Sequence, residues 1–239
     1  MIQNRQYKMF IFLAIVCCFL SVITTLGIHS NLFDLGDLSF EERIKLFENS
    51  KYMANRFWVI SHCLFVLISM LGFLLIQIKK SPGFTILGFI FFTVFSFTEI
   101  FRQIFVFFYL NNLRRAYIDT NDAAIQEMIR INMDHAGLIG YALFGLFIMA
   151  FALGNMCYGI SLINGSKIDR ILAYLLLIWS CGNLAAFVNE FLQSKNLGEF
   201  VEYFSIIYQP IMRILVGLWL FYQFKQIRNE ITVSNKVHS

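Results

Sequence analysis

The amino-acid sequence predicts an all-α fold, a polytopic membrane helix bundle of about six transmembrane helices, with two short amphipathic helices in the loops of one side. Three observations carry this reading. Of the 239 residues, 58% are hydrophobic. Only 14% are charged, against roughly 25% in an ordinary soluble domain. Several separate apolar runs reach the ~20 residues that a helix needs to cross ~30 Å of hydrocarbon. The polar segments between them are too short for a second domain, so 1–239 reads as one transmembrane domain.

The first span covers 8–28. The segment before it carries Arg5 and Lys8 and resembles a leader peptide. Its apolar core is too long for one, however, and no small-x-small cleavage site follows, so a retained helix is expected. The second span covers 55–78 and the third 84–110, joined by the turn Lys79-Lys80-Ser81-Pro82-Gly83. The fourth covers 136–162, the fifth 171–192 and the sixth 202–224, leaving 225–239 as a short cytoplasmic tail.

Two longer loops carry helix signals. Ser39-Phe40-Glu41-Glu42 is a capping box: the serine oxygen can accept from the Glu42 amide, and Glu42 can reach back. Phe40, Ile44 and Phe47 then recur at helical spacing, which predicts an amphipathic helix. In the other loop Asp119-Thr120-Asn121-Asp122 offers a cap, and Ile125, Met128 and Ile129 form an apolar face.

Basic residues set the orientation. The segments on the side of the termini carry Arg5, Lys8, Lys79, Lys80, Lys167, Arg170, Lys225, Arg228 and Lys236 at higher density than the other side carries Arg43, Lys45, Lys51, Arg56, Arg114, Arg115, Arg130 and Lys195. The positive-inside rule then puts both termini in the cytoplasm and the chain in a plasma (inner) membrane. The net charge of +4 is scattered without a basic stripe, which argues against nucleic acid as a partner; the lipid bilayer is the expected one. All five cysteines (Cys17, Cys18, Cys63, Cys157, Cys181) fall in apolar runs, so no disulfide is expected. Trp58 and Trp219 read as interfacial anchors, Trp179 as packing, and the many phenylalanines as lipid-facing bulk.

The run Asp122-Ala-Ala-Ile-Gln-Glu-Met-Ile-Arg130, then Gly137-Leu-Ile-Gly140-Tyr-Ala-Leu-Phe-Gly145, Tyr158-Gly-Ile-Ser161 and Asp169-Arg-Ile-Leu172, resembles a family of bacterial six-helix integral membrane proteins of unknown function. The likeness is confined to the centre of the chain. It implies the same helix count and brings no catalytic residues with it.

A membrane helix turns its small and polar residues to its neighbours. On the third span Thr85, Gly88, Phe92, Ser96, Glu99 and Gln103 form one stripe. The second offers Asn55, His62 and Ser69, and the fifth Ser180, Asn183 and Glu190 beside Gly182 and Ala186. The sixth offers Glu202, Ser205, Gln209, Arg213 and Gly217, with Pro210 among them. The fourth offers Gly137, Gly140, Gly145, Ala152, Asn155 and Gly159, the first Ala14, Cys17, Ser21 and Thr24. Counting depth at ~1.5 Å per residue puts Glu99, His62 and Gln209 at ~22 Å above the inner boundary, Asn183 at ~18 Å and Arg213 at ~16 Å. Arg102 and Glu190 fall at ~27–28 Å. The expected constellation is therefore Glu99 with His62, Asn183, Gln209 and Arg213, and Arg102 with Glu190 above it; Glu99 can also pair with Arg102 along its own helix.

A charge mid-membrane costs ~2.5–3.5 kcal/mol on insertion scales and needs partners or water. Three functions are compatible with the cluster. It can line a cavity that binds or translocates a small polar, ionic or lipid-headgroup ligand, the arginines holding an anionic group, Glu99 exchanging a proton and His62 donating. It can be structural, the charges only fixing helix packing in an accessory protein. Or His29, His62 and His135 can meet as the site of an intramembrane metal enzyme, although no tight ligand spacing such as HExxH is present. No cofactor is implied, and no nucleophile or phosphate-loop motif is found.

Overall fold

A computed structural model describes residues 2–29, 35–192 and 197–237, with side chains described over 6–28, 35–192 and 197–227. The architecture is all-α. The elements are α1 (Ile2–His29), α2 (Phe40–Ile44), α3 (Ser50–Gln77), α4 (Pro82–Phe105), α5 (Asn111–Asp119), α6 (Ala123–Leu162), α7 (Lys167–Phe191) and α8 (Gly198–Val237). Among the described residues, six helices are long and apolar enough to cross a membrane. The chain is thus a multi-pass membrane protein by length and composition.

Local chemistry explains the ends. Ser39 caps α2 as predicted: its side chain accepts from the Glu42 amide, and Glu42 accepts from the Ser39 N–H. A 3-10 turn, Lys45–Glu48, follows. Asn49 caps α3, Asp122 caps α6 and Ser166 caps α7, each accepting a free first-turn amide. Pro82 opens α4 at a position where a missing N–H costs nothing.

Several bounds differ from the sequence reading, for one reason. Hydropathy marks where a helix leaves lipid, not where it stops. The second span begins at Ser50. The third runs on from α4 through a π-helical segment, Val106–Leu110, into α5. The second loop helix is not separate from its span: α6 is continuous from the Asp122 cap to Leu162. The tail 225–239 extends α8 helically to Val237.

The six spans form a ring in which each packs on the next along the chain, and α8 closes on α1. α2, α5 and the start of α6 cap one end, which we call the α2 face; Phe40 meets Tyr117 edge-on at 5.4 Å. The termini lie at the other end. The predicted inward stripe of the third span holds, with all six named residues buried, as does that of α1, with Ala14, Cys17, Ser21 and Thr24 buried. On the fifth and sixth spans Glu190 and Glu202, placed inward with the others, are exposed because they lie at the span ends. Close approach needs the small residues. A Cβ on Gly88 would overlap the Tyr158 ring, and one on Gly72 would overlap Ala14. Gly137 and Gly140 make no such approach: a Cβ on either, near the start of α6, would meet nothing.

The ring interior is divided. Towards the termini it is filled with aromatic side chains. Phe73 stacks on Tyr158 at 4.1 Å and on Trp219 at 4.6 Å, while Phe92 tilts against Tyr158 at 5.2 Å. This corrects two expectations. Trp219 is a buried core residue whose indole donates to Asp169 at 2.7 Å, because its stripe of α8 faces the ring axis. Phe73, Phe92, Phe95 and Phe151 are buried too, whereas Phe57, Phe97, Phe101 and Phe108 are exposed as lipid-facing bulk.

Candidate functional site: a polar cavity inside the helix ring

In the half of the ring nearer the α2 face, aromatic filling gives way to a cavity of about 390 Å³. All seven residues singled out from the sequence line it: His62, Glu99, Arg102, Asn183, Glu190, Gln209 and Arg213. Its remaining wall is mostly apolar and includes Phe95, Phe147 and Phe151. Depth counting thus brought together residues from α3, α4, α7 and α8 that are far apart in sequence.

Arg213 is buried, only 3% exposed. Its guanidinium lies 5.8 Å from the Phe151 ring centre and 5.6 Å from that of Trp179. Phe151 and Trp179 themselves meet edge-on at 5.0 Å, so the charge rests against an aromatic floor. One guanidinium nitrogen lies 3.1 Å from His62 Nε2. Arginine can only donate, so Nε2 accepts and the ring proton is on Nδ1. That Nδ1–H points to Thr24 Oγ1 at 2.7 Å, and the threonine hydroxyl donates to backbone carbonyls of its own helix. A directed chain therefore runs from α8 through α3 to α1 and holds His62 neutral. The backbone carbonyl of Arg213 also accepts from the Cys18 thiol at 3.3 Å. Two things are missing around this cation. Among the described residues it has no carboxylate within ion-pair distance, and its Nε, buried, has no acceptor.

Glu99 is organised differently. Its Oε1 accepts from Arg102 at 2.8 Å and from the Gln103 amide of the next turn. Gln103 in turn accepts from Arg56 at 2.9 Å, and Arg56 lies over the Tyr52 ring at 4.4 Å. The Glu99–Arg102 pairing along one helix was expected. Direct bonding of Glu99 to His62, Gln209 or Arg213 is not formed, although all four line the same space. Nor is the Arg102–Glu190 pair: Arg102 turns back to Glu99, with 28% of its side chain exposed, and Glu190 is exposed on α7. Counting residues gives height in the membrane but not the direction in which a side chain points.

The sequence reading missed Arg56, which looked like a loop base two residues from a span end. It placed Thr24 on the inward stripe of the first span but not with the cluster. The signals were present: Arg56 lies on the same turn as the predicted inward Asn55, and Thr24 ends the polar stripe of α1.

The metal-site alternative finds little support in the geometry. His62 is committed to Arg213 and Thr24, and His135 is exposed on α6. The side chain of His29 lies outside the described residues. Among the described residues, no three histidine, cysteine, aspartate or glutamate side chains gather into a metal-binding group. All five cysteines are free thiols.

No protein-family model matches the chain, and neither does a curated protein or a solved structure.

Proposed function

We propose that this protein binds a small anionic group, free or as part of a lipid headgroup, in the cavity between its helices, with Arg213 as the principal contact. The carrying observation is the Arg213 guanidinium: it lines the cavity, is buried, and has among the described residues neither a carboxylate partner nor an acceptor for Nε. A lone charge at that depth costs several kcal/mol unless something of opposite sign comes to it. The neutral His62 cannot serve, since it accepts one hydrogen bond without cancelling charge. Asn183, Ser205 and Gln209 supply uncharged donors around the same space. Arg102 stands towards the α2 face, where it can attract an incoming anion before Arg213 does.

On this reading the α2 face is the outer one and the termini are cytoplasmic, because Lys79, Lys80, Lys167, Arg170 and Lys225 belong to the opposite end. The resemblance of the central segment to bacterial six-helix proteins favours a bacterial plasma membrane. The Glu99–Arg102–Gln103–Arg56 network has a second, structural reading. Its members bond to one another through Glu99 Oε1 and Gln103, and it ties α3 to α4 near the α2 face.

The test is thermal unfolding of the full chain in detergent, with and without inorganic phosphate and glycerol 3-phosphate. Either anion is expected to raise the midpoint of the wild type and to leave Arg213→Gln unmoved, provided that variant still elutes as a folded protein. Glu99→Gln is expected to retain the response. Unfolding midpoints that ignore both anions, and also ignore anionic lipid, sink the proposal.

A further inference from the structure

On the outside of the ring a second depression of about 400 Å³ lies over the contact between α7 and α8, and it is almost wholly apolar. It is lined by Tyr174, Leu177, Ile178, Gly182, Phe200 and Phe204, among others. Its relation to the polar cavity is set by sequence neighbours. Gly182 lines the groove and Asn183 the cavity; on the facing helix Phe204 lines the groove and Ser205 the cavity. Groove and cavity are therefore the two sides of one helix seam.

At that level Phe204 packs across the seam. Phe204 lies on the bare backbone of Gly182, so closely that a Cβ there would overlap it. Phe204 belongs to an aromatic ladder along α8, stacked on Phe200 at 5.6 Å and on Tyr208 at 4.5 Å. The Tyr208 hydroxyl donates to the Leu175 carbonyl of α7 at 2.9 Å, which latches the seam on the termini side of Phe204. Towards the α2 face, α7 presents the small residue Ala186 to the cavity. The seam is thus tied by Tyr208 at one end and faces the cavity with Ala186 at the other.

We infer that the ligand is a phospholipid with an anionic headgroup, which reaches Arg213 sideways from the bilayer through the α7–α8 seam and leaves an acyl chain in the outer groove. The inference rests on the anion-binding reading of the cavity and narrows it. An unpaired buried cation and an apolar groove, back to back across one seam, match the two ends of one amphiphile. A water-soluble anion uses only the first of them. Phe204 is the positioning residue: its ring moves aside for the chain and returns when the seam is vacant.

The experiment uses the full-length protein in mild detergent, exchanged against mixed micelles of phosphatidylglycerol and phosphatidylcholine, with bound lipid counted by native mass spectrometry. The wild type is expected to retain phosphatidylglycerol in preference to phosphatidylcholine. Gly182→Leu fills the seam, and Ile178→Trp fills the groove from a lipid-exposed position whose change the fold tolerates. Each is expected to lower phosphatidylglycerol retention by about ten-fold or more, the equivalent of two methylenes of lost burial. Neither is expected to alter the thermal shift given by glycerol 3-phosphate, which also certifies the folding of each variant. Unchanged lipid retention in Ile178→Trp, or a wild type that binds glycerol 3-phosphate but shows no preference for phosphatidylglycerol, overturns the lateral lipid route and leaves anion binding standing. Failure of the wild type to bind phosphatidylglycerol, glycerol 3-phosphate and inorganic phosphate alike removes both.

Discussion

At the scale of single residues, the decisive contact is the one between Arg213 and His62. A buried donor left without its acceptor costs about 1–3 kcal/mol, so His62→Ala is expected to lower the unfolding free energy by roughly that amount. Thr24→Val should cost less, because it leaves Nδ1–H, rather than a charged group, without a partner. The two are not independent: Thr24 orients the imidazole, and the imidazole meets Arg213. In the His62→Ala background, Thr24→Val should therefore add almost nothing, a coupling that a double-mutant cycle in detergent measures directly. Simple additivity of the two losses would show that the chain from α8 to α1 is not a unit. Arg213→Gln complicates matters in an informative way. It removes the cation and its desolvation cost together, so its stability can equal or exceed that of His62→Ala although the change is chemically larger.

At the scale of elements, the polar loop helix α2 rests on its cap. The Ser39 N–H and hydroxyl hold the Glu42 carboxyl below its ordinary range. A carboxyl so depressed contributes stability that is fully present above its unfolded value, ~4.3, and is lost as pH falls through its lower folded value. Hydrogen-exchange protection over residues 40–44 should accordingly hold at neutral pH and decline once the medium is more acid than the ordinary glutamate range. Ser39→Ala should lose about five-fold in protection already at neutral pH and show a weaker acid dependence. Protection equal to the wild type in that variant would mean that contacts such as Phe40 with Tyr117, not the cap, keep the helix formed. The cap was legible because its geometry is local: serine and glutamate three residues apart have few other uses before an apolar repeat. The inward stripe of the third span was legible for a related reason, since Thr85, Gly88, Ser96, Glu99 and Gln103 contrast with phenylalanine and isoleucine on every other side. What could not be read was which partner a given side chain turns to, or continuity beyond lipid. Trp219 sits near a span end yet turns to the core, Arg102 turns back to Glu99 and not across to Glu190, and α6 passes the membrane boundary without a break because nothing in 123–136 ends a helix.

At the scale of the molecule, the ring interior is packed towards the termini and, among the described residues, holds its cavity towards the α2 face, and this asymmetry has a direct consequence for access. The Phe73–Tyr158–Trp219 stack fills the axis with three large side chains, each burying 150–250 Å² by the usual measure of aromatic burial. Among the described residues no comparable layer crosses the axis above Arg213, where Gln209, Ser205 and Arg102 line the cavity. A cysteine placed at Ser205 should therefore react with a membrane-impermeant thiol reagent from one side only. That side should be the one from which Glu41→Cys on α2 reacts, and opposite to the one from which Lys167→Cys reacts. A cysteine at Leu220, buried beyond the aromatic stack, should react from neither. Each rate is read against the native cysteines, four of which are buried while Cys181 faces the outer groove. Preincubation with phosphatidylglycerol should slow labelling at Ser205 and leave Glu41→Cys untouched, because only the former shares the cavity with the headgroup. Labelling at Ser205 from the Lys167 side would place the barrier above the cavity and not below it. The aromatic stack would then be packing alone, and the route to Arg213 would have to run past α7 and α8 from the side of the termini.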